Sequence, residues 1–272
     1  MKPKSGKEQT RDATMKRIIE TPMKVSSKIV RAKAIREALV SALHDKGYYV
    51  FPTVGFRVTA KEKEQIKADL TAKNDPINQR IDPENEELKE EVAVGDGKRL
   101  TGVTRTMKNR SKQILFQYRK WVQKLLPGHT VKAPAYLYSL DECEEQDPHF
   151  DGNPFLESWR QLQRNQTPLS RVPLSCILAL EDKTELVVWP KSFKLTYEFN
   201  PSAPTQNEKE VCEREVVPIP KGSMIVFRQD LTHAGSAYAK DNLRIFAYAD
   251  LEKFPRQSKS TFFSSSIKSW LK

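Results

Sequence analysis

The sequence contains few cysteines and histidines, and it has no long apolar run. Its three cysteines, Cys143, Cys176 and Cys212, are an odd number without paired spacing, which argues against a disulfide framework and favours a reducing setting. No apolar run is long enough to span a bilayer, and the charged N-terminus lacks the apolar core of a signal peptide. We therefore expect an intracellular protein, cytoplasmic or nuclear, that is neither secreted nor embedded in a membrane.

Basic residues outnumber acidic ones by 46 to 35, which gives a net charge of +11. This charge suggests affinity for acidic partners, including nucleic acid, although a basic surface that only aids solubility would explain it equally well. Residues 1–27 are rich in Lys, Arg, Ser and Thr and have no sustained apolar periodicity. They are predicted to form a basic flexible arm that either contacts phosphates or is a solvated tail.

The N-terminal half of the sequence shows mainly helical periodicity. Apolar residues recur at helical spacing over 29–43, and a more polar helical pattern covers 60–72. A third helix is predicted over 107–126, and the short apolar run Tyr48–Phe51 reads as a strand. Residues 73–97 are rich in turn residues, and they predict a surface loop with a short acidic helix.

The helical period disappears after residue 130, and short strand-like runs separated by turns follow. Several short strands in succession favour a sandwich or a jelly roll. The chain ends in a Ser- and Lys-rich tail over 255–272. The predicted strands are 131–140, 174–180, 185–189, 195–199, 216–219, 223–227 and 243–248.

Three side chains form a candidate metal site. His149 and Asp151 stand two residues apart, so on a strand they point to the same face, and His233 follows at the end of a strand that begins with the turn at Gly222. Two His and one carboxylate leave three positions of an octahedral ion open, which suits non-haem Fe(II). The other two histidines, at positions 44 and 129, fall outside this pattern. Arg244, eleven residues past His233, could pair with the remote carboxylate of a metal-chelating oxo-acid.

In order and spacing, these motifs resemble the Fe(II)/2-oxoglutarate-dependent dioxygenase superfamily, particularly its prolyl-4-hydroxylase-like and phytanoyl-type branches. The resemblance covers roughly 48–250. It implies a mainly β fold with N-terminal helices: a double-stranded β-helix, or cupin-like jelly roll, with the helices packed on its outer face. The oxygenase domain would span 28–254, with its jelly-roll core at about 131–250.

The resemblance also implies roles for individual residues. His149, Asp151 and His233 would bind Fe(II) at the catalytic centre, and Arg244 would hold the C5 carboxylate of 2-oxoglutarate. In related enzymes a tyrosine on the strand before the first His contacts the co-substrate, which makes Tyr138 the first candidate and Tyr136 the second. Either tyrosine could equally be a core aromatic whose hydroxyl is bonded elsewhere.

The sequence departs from the family pattern at three positions. Ser223 replaces the Asp of a Gly-Asp turn, and Lys191 and Phe193 stand for the Gly and His of a Pro-Gly-Ser-His segment, so no site role carries over from that segment. The lysine that replaces the co-substrate arginine in one branch is absent, unless Lys240 takes its place. Cys176 lies close enough in sequence to face the barrel, but it reads as a buried structural thiol.

The expected activity is oxidation of a primary substrate coupled to conversion of 2-oxoglutarate and O₂ to succinate and CO₂. Ascorbate is the expected reductant. The outcome would be hydroxylation, or demethylation when the oxidised carbon is attached to nitrogen. The substrate stays open between protein, nucleic acid and small molecule, since fold and triad do not choose among them. Two alternatives remain: a non-catalytic jelly-roll protein that binds nucleic acid or a protein partner, and a metal-dependent enzyme of the same fold that uses no 2-oxoglutarate.

Overall fold

The structure, a computed structural model, describes residues 33–52, 55–73, 98–103, 107–152, 172–194 and 212–251. The chain forms two compact units, residues 1–42 and 43–272, and every strand named below belongs to the second. The predicted arm, the loop after Lys73, the strand at 195–199 and the C-terminal tail lie outside the described residues. The domain boundaries at 27/28 and 254/255 therefore stay predictions.

Three helices of more than ten residues lie in the described part of the chain, and they confirm the helices predicted from periodicity. They are α1 at residues 33–45, α2 at Ala60–Lys73 and α3 at Asn109–Leu125. The turn after α1 requires glycine, because Gly47 has a φ of +94°, which side chains disfavour. None of the described helices is long and apolar enough to cross a membrane.

Helix α2 begins at a capping box. The backbone N–H of Thr59 donates to Oε2 of Glu62 at 2.8 Å, and the N–H of Glu62 donates to Oγ1 of Thr59 at 3.3 Å. Each residue thus satisfies a backbone donor of the first turn. One face of the helix buries Ile66 and Leu70 completely. Capping and burial explain why this otherwise polar segment is helical.

Within the described residues, nine antiparallel strands form two sheets. The larger sheet has the order β1-β7-β4-β9-β3-β2 and the smaller has the order β6-β5-β8. The strands are β1 Tyr48–Phe51, β2 Arg99–Val103, β3 Thr130–Ser139, β4 Leu174–Ala179, β5 Thr184–Val188, β6 Glu215–Ile219, β7 Met224–Arg228, β8 His233–Gly235 and β9 Asn242–Asp250. This is the predicted double-stranded β-helix.

The two faces of the larger sheet have different neighbours. Its inner face packs on the smaller sheet through one apolar cluster, in which Ile177 and Phe227 of the larger sheet meet Leu186 and Val188 of the smaller. Its outer face packs against α3. Side chains alternate between these faces along each strand. The parity of a residue number therefore decides whether the side chain points inward between the sheets or outward toward the helices.

Two features of the strands differ from the predictions. Strand β2, with the sequence Arg-Leu-Thr-Gly-Val, was not predicted, because arginine and glycine interrupt its apolar alternation. His233 was placed at the end of the strand beginning at Gly222, and that prediction is wrong. Strand β7 ends at Arg228, a turn follows, and His233 opens the separate strand β8 of the smaller sheet.

A glycine in β2 lets α2 approach the sheet. A Cβ on Gly102 would collide with the side chain of Leu70 and lie 2.6 Å from Sδ of Met107. We expect Gly102→Ala to lower the free energy of unfolding by about 1–3 kcal/mol, as overpacking does, measured by urea denaturation. Thr101→Ala on the same strand is the control and should cost less. A Gly102→Ala variant as stable as wild type would contradict this packing.

Candidate metal centre

The three predicted ligands converge between the two sheets. Backbone hydrogen bonds run both ways between His149 and His233, N to O, at 2.9 and 3.0 Å, and the N–H of Asp151 donates to the carbonyl of Gln229 at 3.0 Å. The candidate ligand atoms of His149, Asp151 and His233 all lie within 4.8 Å of one another, and the three residues are buried. Oδ1 of Asp151 is 3.6 Å from Nε2 of His233.

Each imidazole is oriented by a backbone carbonyl two residues earlier in the chain. Nδ1 of His149 bonds the carbonyl of Asp147 at 2.8 Å, and Nδ1 of His233 bonds the carbonyl of Leu231 at 3.0 Å. A carbonyl only accepts, so Nδ1 carries the proton and Nε2 keeps its lone pair for a metal. The same arrangement at both histidines produces two nitrogen ligands with matching tautomers.

The aspartate is oriented by a serine of the larger sheet. Oγ of Ser175, on β4, donates to Oδ2 of Asp151 at 2.6 Å, and Ser175 is completely buried. This bond occupies one carboxylate oxygen and leaves Oδ1 on the side of His233. Ser175 was not identified from the sequence, although a hydroxyl in the apolar strand Leu-Ser-Cys-Ile-Leu-Ala was a visible signal.

Both candidate imidazoles are neutral at neutral pH. Burial, followed by the neighbouring His233, lowers the pKa of His149 to about 4. Burial likewise lowers the pKa of His233 to about 4. A neutral imidazole is the form that binds a metal. Two such nitrogens and a carboxylate fit a divalent transition metal, and they match the facial triad predicted from the sequence.

Arg244 lies on the inner face of β9 and is 5% exposed. Its Nη1 donates to Oγ of Ser139 at 3.0 Å, and its guanidinium carbon lies 5.3 Å from the centroid of the Tyr238 ring. Nη1 of a second buried arginine, Arg99 of β2, donates to the same hydroxyl at 3.1 Å. Two guanidinium groups therefore meet at one serine inside the barrel.

The structure places Tyr136 and Tyr138 on the outer face of the sheet. Leu137, between them, pairs with Arg244 in the register, and paired residues on neighbouring strands share a face. Because Arg244 points inward, Leu137 does too, and the two tyrosines on either side of it point outward. The hydroxyl of Tyr136 donates to the carbonyl of Ser111 in α3 at 3.0 Å. The contact of one of these tyrosines with the co-substrate stays a prediction. In the structure both lie on the opposite face from Arg244, and the alternative of an aromatic bonded elsewhere describes Tyr136.

Tyr138 belongs to a charged cluster on the helix side of the sheet. Its hydroxyl donates to Oδ2 of Asp241 at 2.9 Å, and Nζ of Lys67 in α2 lies 2.7 Å from the same oxygen. Burial, followed by the bond to Asp241, raises the pKa of Tyr138 to about 12. The residue of this stretch that meets Arg244 on the inner face is Ser139, which the sequence reasoning did not identify.

The other residues named from the sequence take no part in the triad. Cys176 is completely buried on the outer face of β4, where it pairs with Val226 and Ala247. Nε2 of His129 bonds the carbonyl of Val172 at 2.8 Å. Lys240 is exposed.

A buried ion pair shapes the turn before His233. Arg228 donates from Nε and Nη2 to the two carboxylate oxygens of Asp230, each at 2.8 Å. The guanidinium carbon also lies 3.9 Å from the centroid of the Phe193 ring. Farther along the turn, the N–H of Thr232 donates to Oγ of Ser192 at 2.9 Å. These contacts fix the direction in which the chain enters β8.

Comparison with solved structures confirms the fold. AviO1 from Streptomyces viridochromogenes Tue57 matches with a TM-score of 0.51 and 15% identity, over 82% of this chain and 98% of that one. The epimerase SnoN, solved in complex with Fe3+, alpha ketoglutarate and nogalamycin RO, matches with a TM-score of 0.50 and 14% identity, over 80% of this chain and 84% of that one. No protein-family model and no curated protein sequence matches the chain. Fold and His-Asp-His cluster together support the resemblance to Fe(II)/2-oxoglutarate oxygenases.

The ion pair before β8 leads to a prediction about stability. Asp230→Ala leaves the charge of Arg228 buried without this carboxylate, and we expect a loss of about 3–5 kcal/mol in the free energy of unfolding. The double variant Arg228→Met with Asp230→Ala should recover part of that loss, because it also removes the charge. Urea denaturation of the three proteins measures both effects. A loss under about 1 kcal/mol for Asp230→Ala would contradict a buried, bidentate pair.

Proposed function

We propose that the protein is an Fe(II)- and 2-oxoglutarate-dependent oxygenase that holds the metal with His149, Asp151 and His233. The observation that carries this proposal is the convergence of two oriented Nε2 atoms and one carboxylate oxygen in a buried site. The shared fold with SnoN, whose structure contains iron and alpha ketoglutarate, supports it. Because the sequence identity to SnoN is only 14%, the proposed activity is argued from the geometry of the site and not from the similarity to SnoN.

We propose that Arg244 and Ser139 bind the remote carboxylate of 2-oxoglutarate. Arg244 is buried, and it has no acidic partner among the described residues, whereas burial of a charge is costly without one. In the register, Arg244 lies four residues along β9 from Tyr248, which pairs with the Ser175 that contacts Asp151. Four residues of strand cover about 13 Å. The distance from the guanidinium group of Arg244 to the candidate metal centre is shorter, because the long arginine side chain covers part of it. We propose that a small dicarboxylate spans the distance between Arg244 and the candidate metal centre.

Bound Fe(II), 2-oxoglutarate and O₂ would supply the oxidation of a substrate C–H bond, with succinate and CO₂ as co-products. The protein residues would orient the metal ligands, fix the co-substrate by its far carboxylate and exclude water through the apolar cluster between the sheets. We propose hydroxylation or oxidative demethylation as the outcome, with ascorbate as reductant. All three cysteines are unpaired, which supports the proposal of a reducing intracellular compartment.

The first test is turnover without a primary substrate. Wild-type protein with Fe(II), ascorbate, O₂ and 2-oxoglutarate should release succinate slowly. His233→Ala should release none, because it removes a metal ligand. Succinate is measured by mass spectrometry, and anaerobic calorimetry of 2-oxoglutarate binding accompanies it. Absence of both succinate release and Fe(II)-dependent binding of 2-oxoglutarate in wild type would refute the proposal.

Two buried serines allow the metal and co-substrate roles to be separated. Ser175→Ala should raise the dissociation constant for Co(II), a redox-stable probe, by about 10- to 100-fold, as loss of a group that orients a ligand does. Ser139→Ala should leave Co(II) affinity unchanged and weaken 2-oxoglutarate binding. Arg244→Ala should weaken that binding by at least about 30-fold. Isothermal titration calorimetry measures all three variants, and equal effects of the two serine variants on Co(II) would contradict the assignment.

A further inference from the structure

The excess positive charge of the protein is concentrated in one segment. Residues 97–140 contain ten lysines and arginines and no aspartate or glutamate. The rest of the chain therefore holds 36 of the 46 basic residues together with all 35 acidic ones, a net charge of +1. The +11 of the whole chain is thus almost entirely a property of the segment that contains α3.

Helix α3 presents part of this charge on its solvent side. Arg119, Lys120 and Lys124 are exposed and Lys112 is half-buried, and none of the four forms an ion pair with a described acidic residue. Two basic neighbours near the start of the helix are engaged: Lys108 with Asp69 at 2.9 Å and Arg110 with Glu62 at 2.5 Å. The unpaired charges therefore lie along the middle and the end of α3.

An exposed aromatic ring lies among these four charges. Phe116 is 52% exposed, and the other large apolar residues exposed in the described part of the chain are Val40 and Val216. Residues three and four apart are neighbours on a helix surface, so Phe116 adjoins Lys112, Arg119 and Lys120. Nζ of Lys120 lies 4.4 Å from the centroid of the ring. Lys112, Phe116, Arg119, Lys120 and Lys124 together are called the α3 basic face.

We propose that the α3 basic face binds single-stranded nucleic acid, with its four cations on phosphates and a base stacked on Phe116. Nonspecific single-strand sites combine a basic track with an aromatic platform in this way. A membrane-binding helix would need a broad apolar face. The apolar face of α3, with Ile114, Leu115, Tyr118 and Val122, is buried in the protein. On the solvent side of the helix, Phe116 is the large apolar side chain that is exposed.

This surface is separate from the candidate metal centre. Helix α3 packs on the outer face of the larger sheet, where the hydroxyl of its Tyr118 lies 3.6 Å from Sδ of Met224, and the metal centre lies on the inner side. Nucleic-acid binding is therefore independent of the proposed oxygenase chemistry. If both hold, the α3 basic face would tether the enzyme to a nucleic acid or to a protein bound to one.

The test is fluorescence anisotropy with a labelled oligo-deoxythymidine at several salt concentrations. Replacing the four α3 cations with Gln should flatten the slope of log K against log salt by about three, since each single-strand phosphate contact contributes about 0.7. Phe116→Ala should weaken binding about tenfold without changing that slope. Phe116→Trp should bind the oligonucleotide as tightly as wild type, because it keeps an aromatic ring for stacking. Circular dichroism confirms that each variant is folded.

The matched control removes four exposed cations from other surfaces with the substitutions Lys46→Gln, Lys183→Gln, Lys221→Gln and Lys240→Gln. It should keep the affinity and salt slope of wild type. Equal losses in the control and the α3 variant would overturn the proposal, because diffuse charge would then explain binding. The proposal would also be overturned if the oligonucleotide failed to bind at low salt or if Phe116→Ala had no effect on binding. Binding of the protein to phosphatidylserine vesicles but not to the oligonucleotide would overturn it as well.

Discussion

The backbone pairing between two distant segments is the constraint on which the candidate metal centre depends. His149 and His233 exchange N–H to carbonyl hydrogen bonds in both directions. Gln146 extends the pairing, since its side chain accepts from the N–H of Gly235, 89 residues further along the chain, and its N–H donates to the carbonyl of Gly235. A Cβ on Gly235 would lie 2.9 Å from Nη1 of Arg99, so only glycine allows this approach. The ligand geometry is therefore set by the main chain, and side-chain orientation refines it.

The order and spacing of the polar motifs predicted the site better than the character of individual strands did. His149, Asp151, His233 and Arg244 could be selected because each chemistry needs a particular side chain, and all four are buried inside the barrel. The strand position of His233 could not be predicted, because no hydrophobic pattern marks the turn with the buried Arg228–Asp230 ion pair that separates β7 from β8. The two charged residues are neighbours in sequence, but their burial and the packing of Arg228 on Phe193 depend on the tertiary fold.

Parity separates the two candidate tyrosines from Arg244. Tyr136 and Tyr138 look like site residues because they are aromatic hydroxyls next to the His-x-Asp motif. Strand β3 has a register irregularity between Lys132 and Ala135, and the face of each later residue depends on how the strand pairs with β9. Pairing of Leu137 with Arg244 puts Ser139 inside and the tyrosines outside. Composition alone cannot supply this information, since a shift of one residue exchanges the two faces.

The two buried arginines that share Ser139 differ in how their charge is balanced. Nη2 of Arg99 donates to the carbonyls of Glu144 at 2.6 Å, Gly235 at 3.2 Å and Ser236 at 2.7 Å, so this cation organises the backbone near the candidate metal ligands. Arg244 has one hydroxyl and one ring among its described contacts. Burial of this charge is costly without an anionic partner. A dicarboxylate that binds there would gain affinity from relief of that cost, and by linkage it would also stabilise the fold.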